Sequence, residues 1–177
     1  MSPRLPRMMD NSSGLEQSQL PFFWVLKLRC GSSNTEVIQL PDGSEQRTKD
    51  RGVVCTTWAL QLKILTHASI GGLLSHSEWG SVVKALHLAR PLILLTFLAG
   101  QGLSASFLQG KEMEYLIPRN GRDCSFTRDS KAHSLSLVLL EEEGKIYRDK
   151  AKEMKGVFGD RNRQNDTWIV SLAAFSI

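Results

Sequence analysis

Short runs of uninterrupted apolar residues alternate along this chain with segments whose apolar positions recur every three or four residues. The first run, PFFWVLKL at 21–28, predicts a mostly buried strand, with Pro21 at its opening position, where a missing N–H is tolerated. CGSSNTE at 30–36 predicts a loop, and Pro41, Asp42 and Gly43 predict a turn before a charged stretch that ends at Lys49. Gly52, Val53, Val54 and Cys55 make a short strand, a short helix passes through Leu62 and Leu65, and residues 69–75 form another strand. From Ser77 to Leu88 the residues Trp79, Val82, Val83 and Leu86 fall on one helical stripe, stopped by Arg90 and Pro91. Leu92 to Leu95 is a continuous run of strand length, followed by a helix around residues 101–109 and a brief strand at 114–117. Two helices close the pattern. The first spans residues 127–140 with Thr127 as N-cap. The second spans 141–157, with Glu141, Glu142 and Glu143 at its positive end and Tyr147, Ala151, Met154 and Phe158 along one side.

Strands and helices in alternation, with the strands apolar throughout, predict an α/β fold: a Rossmann-like parallel sheet with helices on both faces. Ligands of such sheets bind at the carboxyl ends of the strands. A length of 177 residues suits one domain or one lobe of something larger. With 41% hydrophobic and 23% charged residues, disordered and fibrous classes are excluded.

The net charge of +4 lies entirely in residues 145–163, which hold seven basic residues against three acidic ones. Mixed signs at helical spacing, without interleaved aromatics, predict a solvated helix face, so nucleic acid is not an expected partner. Cys30, Cys55 and Cys124 form no CxxC pair and are odd in number, which argues against a disulfide framework or a zinc site and for a cytoplasmic setting. The longest apolar run, residues 91–99, is far short of the about 20 residues that cross a bilayer, so no membrane association is expected. Pro3, Pro6 and Asp10 interrupt the opening residues, and Lys27 sits where a signal core would be apolar.

The candidate chemistry lies at LLSHSEWGSVVKAL, where a strand ending at Ser75 runs into a helix. Free N–H groups and the positive end of the helix dipole would face an anion there, with Ser77, Ser81 and His76 as further donors. His67, His87 and His133 read as structural histidines, Cys55 as a small buried hydrophobe, and Asp129 as a helix-start charge.

The stretch WALQLKILTHASIGGLLSHSEWGSVVKALHLARPLILLTFLAGQ, residues 58–101, resembles the nucleotide-sugar signature box of plant family 1 UDP-glycosyltransferases, in unbroken register and at equal length. LPFFWVLK, LPDGSEQRTKDRGVV, SFTRDS and EEEGKIYRDKAKEMKGVFGDR resemble the same family, in its flavonoid and terpenoid glycoside branch, which includes rhamnosyltransferases. The resemblance covers residues 14–164, leaving 1–13 as a non-matching start expected to be disordered and 165–177 as a non-matching tail. It implies one lobe of a GT-B-type glycosyltransferase, the carboxyl-terminal lobe that binds the UDP-sugar.

By position, the resemblance implies that Trp58 stacks on uracil and that Ala59 and Gln61 meet the base edge. His76 would bond the diphosphate, Gly80 and Ser81 would hold its oxygens, Gln101 would reach the sugar, and Trp79 would pack at its border. No metal or other cofactor is implied, and the partners are a UDP-sugar and a small-molecule acceptor. Several positions depart from the family. Lys84 replaces a glutamate that accepts from both ribose hydroxyls, and an ammonium only donates. Losing that pair corresponds to a weakening on the order of a hundredfold, partly recovered if Lys84 reaches the diphosphate instead. Gly100 replaces an acid that contacts the sugar, Leu60 a proline, Glu78 a glycine, and Gly80 the commoner asparagine.

The family's general base is a histidine in its amino-terminal lobe, and this chain resembles only the other lobe, so no catalytic residue is expected here. The expected function is transfer of a hexosyl or rhamnosyl group from a UDP-sugar to a secondary-metabolite hydroxyl, with little activity from this stretch alone. The alternative is a non-catalytic remnant that still binds UDP.

Overall fold

The computed structural model describes residues 13–25, 43–76, 79–95, 112–121 and 125–158. The expected loop at 30–36, the helix at 101–109, and the segments 1–12 and 165–177 lie outside the described residues. The chain divides into two compact units. One comprises the described residues up to Leu60 together with Pro118–Ser136, and the other comprises Gln61–Ile117 together with the residues from Leu137 onward.

In the first unit, β1 (Phe22–Val25) and β2 (Gly52–Cys55) pair in parallel, with Phe22 opposite Gly52 and Val25 opposite Cys55. Two helical pieces that the apolar pattern does not announce support them: one turn at residues 13–17, and α1 (Ser44–Thr48). The predicted turn residue Gly43 opens α1 from a left-handed conformation, φ 72°, which glycine adopts without a Cβ clash. Polar contacts hold this region. Glu16 pairs with Arg47, while Arg51 donates to the Glu16 carbonyl at 2.7 Å and to Gln19 Oε1 at 2.6 Å. The Arg47 hydrogen bond holds the Glu16 carboxyl below its ordinary value. Helix α4 (Arg128–Leu139) starts here as expected, with Thr127 Oγ1 accepting from the Ser130 N–H at 3.0 Å.

The second unit holds a three-stranded parallel sheet in the order β3 (Leu73–Ser75), β4 (Leu92–Leu94), β5 (Glu114–Leu116). The expected single sheet is thus two ladders, and among the described residues no strand joins them. The β3 ladder begins at Leu73, whose N–H reaches the Pro91 carbonyl, and not at Ser69: the preceding residues turn after α2 (Gln61–Thr66). Every residue of the central strand β4 is buried, as a parallel strand covered on both faces requires.

Helix α3 (Trp79–His87) packs against β3 and β4 and against α5 (Lys145–Phe158). Val82, Ala85 and Leu86 join Leu92, Leu94, Met113 and Met154 in one core cluster. Two bonds close α3: the Arg90 N–H reaches the Ala85 carbonyl at 2.8 Å, and the Ala89 N–H reaches that of Leu86 at 3.1 Å. This is a Schellman ending with alanine, φ 56°, where glycine is usual. Arg90 then donates to the carbonyls of Leu65 and His67, satisfying the end of α2.

Helix α5 begins at Lys145, so Glu141, Glu142 and Glu143 occupy the turn before it and not its first helical turn. Gly144 decides this. Its backbone lies so close to the Leu137 carbonyl that a Cβ would stand 2.0 Å from that oxygen. Ala151 and Met154 are buried on the expected side, with Tyr147 half-buried and edge-on to Tyr115 at 5.4 Å. The basic residues of this helix pair locally, Lys145 with Glu142, Lys150 with Glu153 and Lys152 with Asp149. Arg148 instead spans the carbonyls of Val138 and Glu141, at the end of α4. Among the described residues no helix is long and apolar enough to cross a membrane.

Candidate functional site

Because the sheet is parallel, the carboxyl ends of its strands lie on one edge, and the segment after β3 emerges there. Ser75 ends β3, His76 follows exposed, and α3 begins at Trp79; Ser77 and Glu78 lie outside the described residues. The first-turn N–H groups of α3 have no intrahelical acceptors, and the dipole gives this end partial positive charge. The helix divides its sides by chemistry. Val82, Ala85 and Leu86 are fully buried in the core, whereas Gly80, Ser81 and Lys84 are half-exposed and share another face at spacings of three and four. A Cβ on Gly80 would meet nothing within 4 Å, so no neighbour demands glycine there. Trp79 is partly buried and packs against the core cluster.

Gln61, the first residue of α2, reaches this face. Its Nε2 donates to Ser81 Oγ at 3.3 Å, and its Oε1 accepts from Lys84 Nζ at 3.0 Å. The side-chain amide expected at a base edge is therefore engaged by α3. Nothing in the spacing signals this, since the partners stand 20 and 23 residues away.

Trp58 and Ala59 belong to the first unit, just beyond β2. The Trp58 indole is 79% exposed, Ala59 is half-buried, and Leu60 is exposed. Cys55 is a free thiol of intermediate burial beside Thr57. Gly100 and Gln101 lie outside the described residues. Among the histidines, His67 Nδ1 accepts from the Ser69 N–H, and His133 is exposed on α4.

The largest electrostatic displacement belongs to a residue outside this face. Glu114 is fully buried, neither carboxylate oxygen has a hydrogen-bond partner, and burial lifts its carboxyl from 4.5 to about 8. It is the first residue of β5, opposite Leu92, at the amino edge of the sheet and away from the edge where His76 emerges. No three His, Cys, Asp or Glu side chains among the described residues are grouped as a metal would need.

No protein-family profile matches the chain. It is 48% identical over 163 residues to UDP-glycosyltransferase 91A1 of Arabidopsis thaliana, covering 92% of this chain and 35% of that protein. It is 43% identical over 159 residues to soyasaponin III rhamnosyltransferase of Glycine max, covering 89% and 33% respectively. The structure of Phytolacca americana UGT2 complexed with UDP-2fluoro-glucose and pterostilbene superposes with a TM-score of 0.74 at 29% identity, over 88% of this chain and 33% of that one. The chain thus spans about a third of the length of the curated relatives that it matches.

Proposed function

We propose that this chain, similar over most of its length to plant UDP-glycosyltransferases, is the donor-binding lobe, residues 14–164, of an enzyme that transfers a hexosyl or rhamnosyl group from a UDP-sugar to a secondary-metabolite hydroxyl. Trp58 is the uracil platform and Ala59 the base-edge contact. His76, Gly80 and Ser81 hold the diphosphate at the start of α3, Lys84 and Gln61 line the same face, and Gly100 and Gln101 border the sugar. The observation that carries this reading is the indole of Trp58, 79% exposed at the end of a strand. A side chain that large is normally buried, and a flat base would cover its face.

In this reaction the acceptor oxygen forms the new bond to the anomeric carbon as the bond from that carbon to the diphosphate oxygen breaks, with inversion. The acceptor's proton goes to a base supplied by the family's other lobe. The part played by this lobe is electrostatic: N–H groups and positive charge already aimed at the diphosphate stabilise the negative charge that grows as it departs. The share of the 177 residues by themselves is donor binding, in a cytoplasmic setting that the scattered cysteines favour.

Calorimetric titration of the chain with UDP tests this. The native chain gives a binding isotherm, and Trp58→Ala weakens it by about tenfold or more, as loss of a base-stacking aromatic does. Circular dichroism stays unchanged, since so exposed a side chain carries little of the fold. Equal affinity in Trp58→Ala, or no heat with UDP at any concentration, would refute the assignment.

A further inference from the structure

The polar cluster on the outer face of α3 has unequal hydrogen-bonding capacity. Gln61 spends both ends of its amide on Ser81 and Lys84. Ser81 Oγ accepts from Gln61, which leaves its hydroxyl proton to donate, and Lys84 uses one of its three N–H groups. Among the described residues, neither the Ser81 hydroxyl nor the remaining Lys84 hydrogens have an acceptor, and Lys84 has no carboxylate partner. The half-buried ammonium is held in place by a neutral amide, which brings no counter-charge to it. What the cluster offers outward is donors and positive charge, a few residues along the same face from the amino end of α3.

A group that completes such a cluster accepts several hydrogen bonds and carries negative charge, which describes a phosphoryl group. A neutral ribose diol fits worse: the lone pairs left on Ser81 Oγ and Gln61 Oε1 could take its hydroxyl protons, but the diol would leave the Lys84 ammonium without a counter-charge. Resting on the donor-binding reading above, we infer that Lys84, positioned by Gln61 and joined by Ser81, is a phosphoryl-selecting residue. It makes this site rank uridine nucleotides by the number of phosphoryl charges they bring, and recognition rests on charge in place of ribose hydroxyls.

The neutral character of Gln61 is part of the device. A carboxylate in its place would neutralise Lys84 while keeping the lysine and its position. Two variants therefore probe the same charge from opposite sides: Lys84→Met removes it, and Gln61→Glu cancels it. A merely structural role for Lys84 would be kept by Gln61→Glu, whereas a selecting role would not.

Calorimetry on the full chain with uridine, UMP and UDP, at about 50 and about 200 mM salt, reads the effect. In the native chain the affinity rises from uridine to UMP to UDP, and the UDP-to-uridine ratio shrinks at the higher salt. In both Lys84→Met and Gln61→Glu that ratio falls by about tenfold, and most of its salt dependence disappears. If both variants keep the native ratio and salt dependence within about twofold, the inference is overturned and the donor-binding reading stands. If the native chain binds neither UDP nor uridine, that reading fails and takes the inference with it.

Discussion

Replacing Glu114 with leucine strengthens the fold, and by an amount that depends on pH. The carboxyl is fully buried among the strands of the second unit with no partner for either oxygen, and it titrates at about 8 where 4.5 is ordinary. Ionising it in the folded chain therefore costs about 5 kcal/mol more than in the unfolded chain, at about 1.4 kcal/mol for each tenfold in proton affinity. The folded form keeps its proton to a higher pH than the unfolded form. Stability from this group is thus complete below pH 4.5 and falls by about 1.4 kcal/mol per pH unit until the folded carboxyl also ionises near pH 8. At neutral pH the loss amounts to about 3 kcal/mol. Leucine removes the titration. The variant should exceed the native chain near pH 4.5 by only the about 1–3 kcal/mol that an unpaired neutral polar group costs, and near pH 8, where the titration loss adds to that cost, by about 5–7 kcal/mol.

Urea unfolding followed by tryptophan fluorescence, at steps between these pH values, measures the difference. Glu16, held low by Arg47, loses its contribution as pH falls, but it does so equally in both chains and cancels. Glu114→Gln serves as the control that keeps a polar side chain without a charge, and its stability should not follow pH through this window. A leucine-minus-native difference that stays constant from pH 5 to 8 would refute the account.

Ala89→Gly should raise the melting temperature by about 2–4 °C, because glycine relieves the about 1 kcal/mol that a Cβ costs in the left-handed position closing α3; differential scanning calorimetry would register it, and a lowered temperature would contradict the Schellman assignment. Arg148→Ala should destabilise by about 2–3 kcal/mol by stranding the Val138 and Glu141 carbonyls. Arg148→Lys should recover less than half of that in urea unfolding, since a single ammonium cannot present the planar fork that spans both carbonyls.

The elements legible in the sequence are those whose side chains the core uses. β2, β4, β5 and α3 appear within a residue or two of where apolar spacing puts them, because Leu92–Leu94 and Val82, Ala85 and Leu86 are buried for the same reason that they are apolar. Helix α1 and the turn at residues 13–17 carry no such stripe. Their support comes from Glu16, Arg47 and Arg51, contacts between residues about thirty positions apart, which no local pattern encodes. The start of α5 misleads for a different reason. Three glutamates satisfy the dipole rule at Glu141, yet the close approach of Gly144 to Leu137, a tertiary constraint, sets the boundary at Lys145. Within the candidate site the residue types were visible, and the bridge from Lys84 through Gln61 to Ser81 was not.

That bridge indicates how a chain can keep this fold while changing what it binds. On α3 the core takes Val82, Ala85 and Leu86 and leaves Gly80, Ser81 and Lys84 on another face, so a charge exchanged at position 84 alters the outer face, the ligand side of the proposed reading, without touching the sheet side. The same separation holds at position 58, where an exposed indole contributes little to packing. On the proposed reading, donor preference in this chain follows from a few half-exposed positions. Within that proposal Lys84 carries the most weight, because its charge is opposite in sign to the acid that the resemblance implies, and placing like charges together costs several kcal/mol where opposite charges attract.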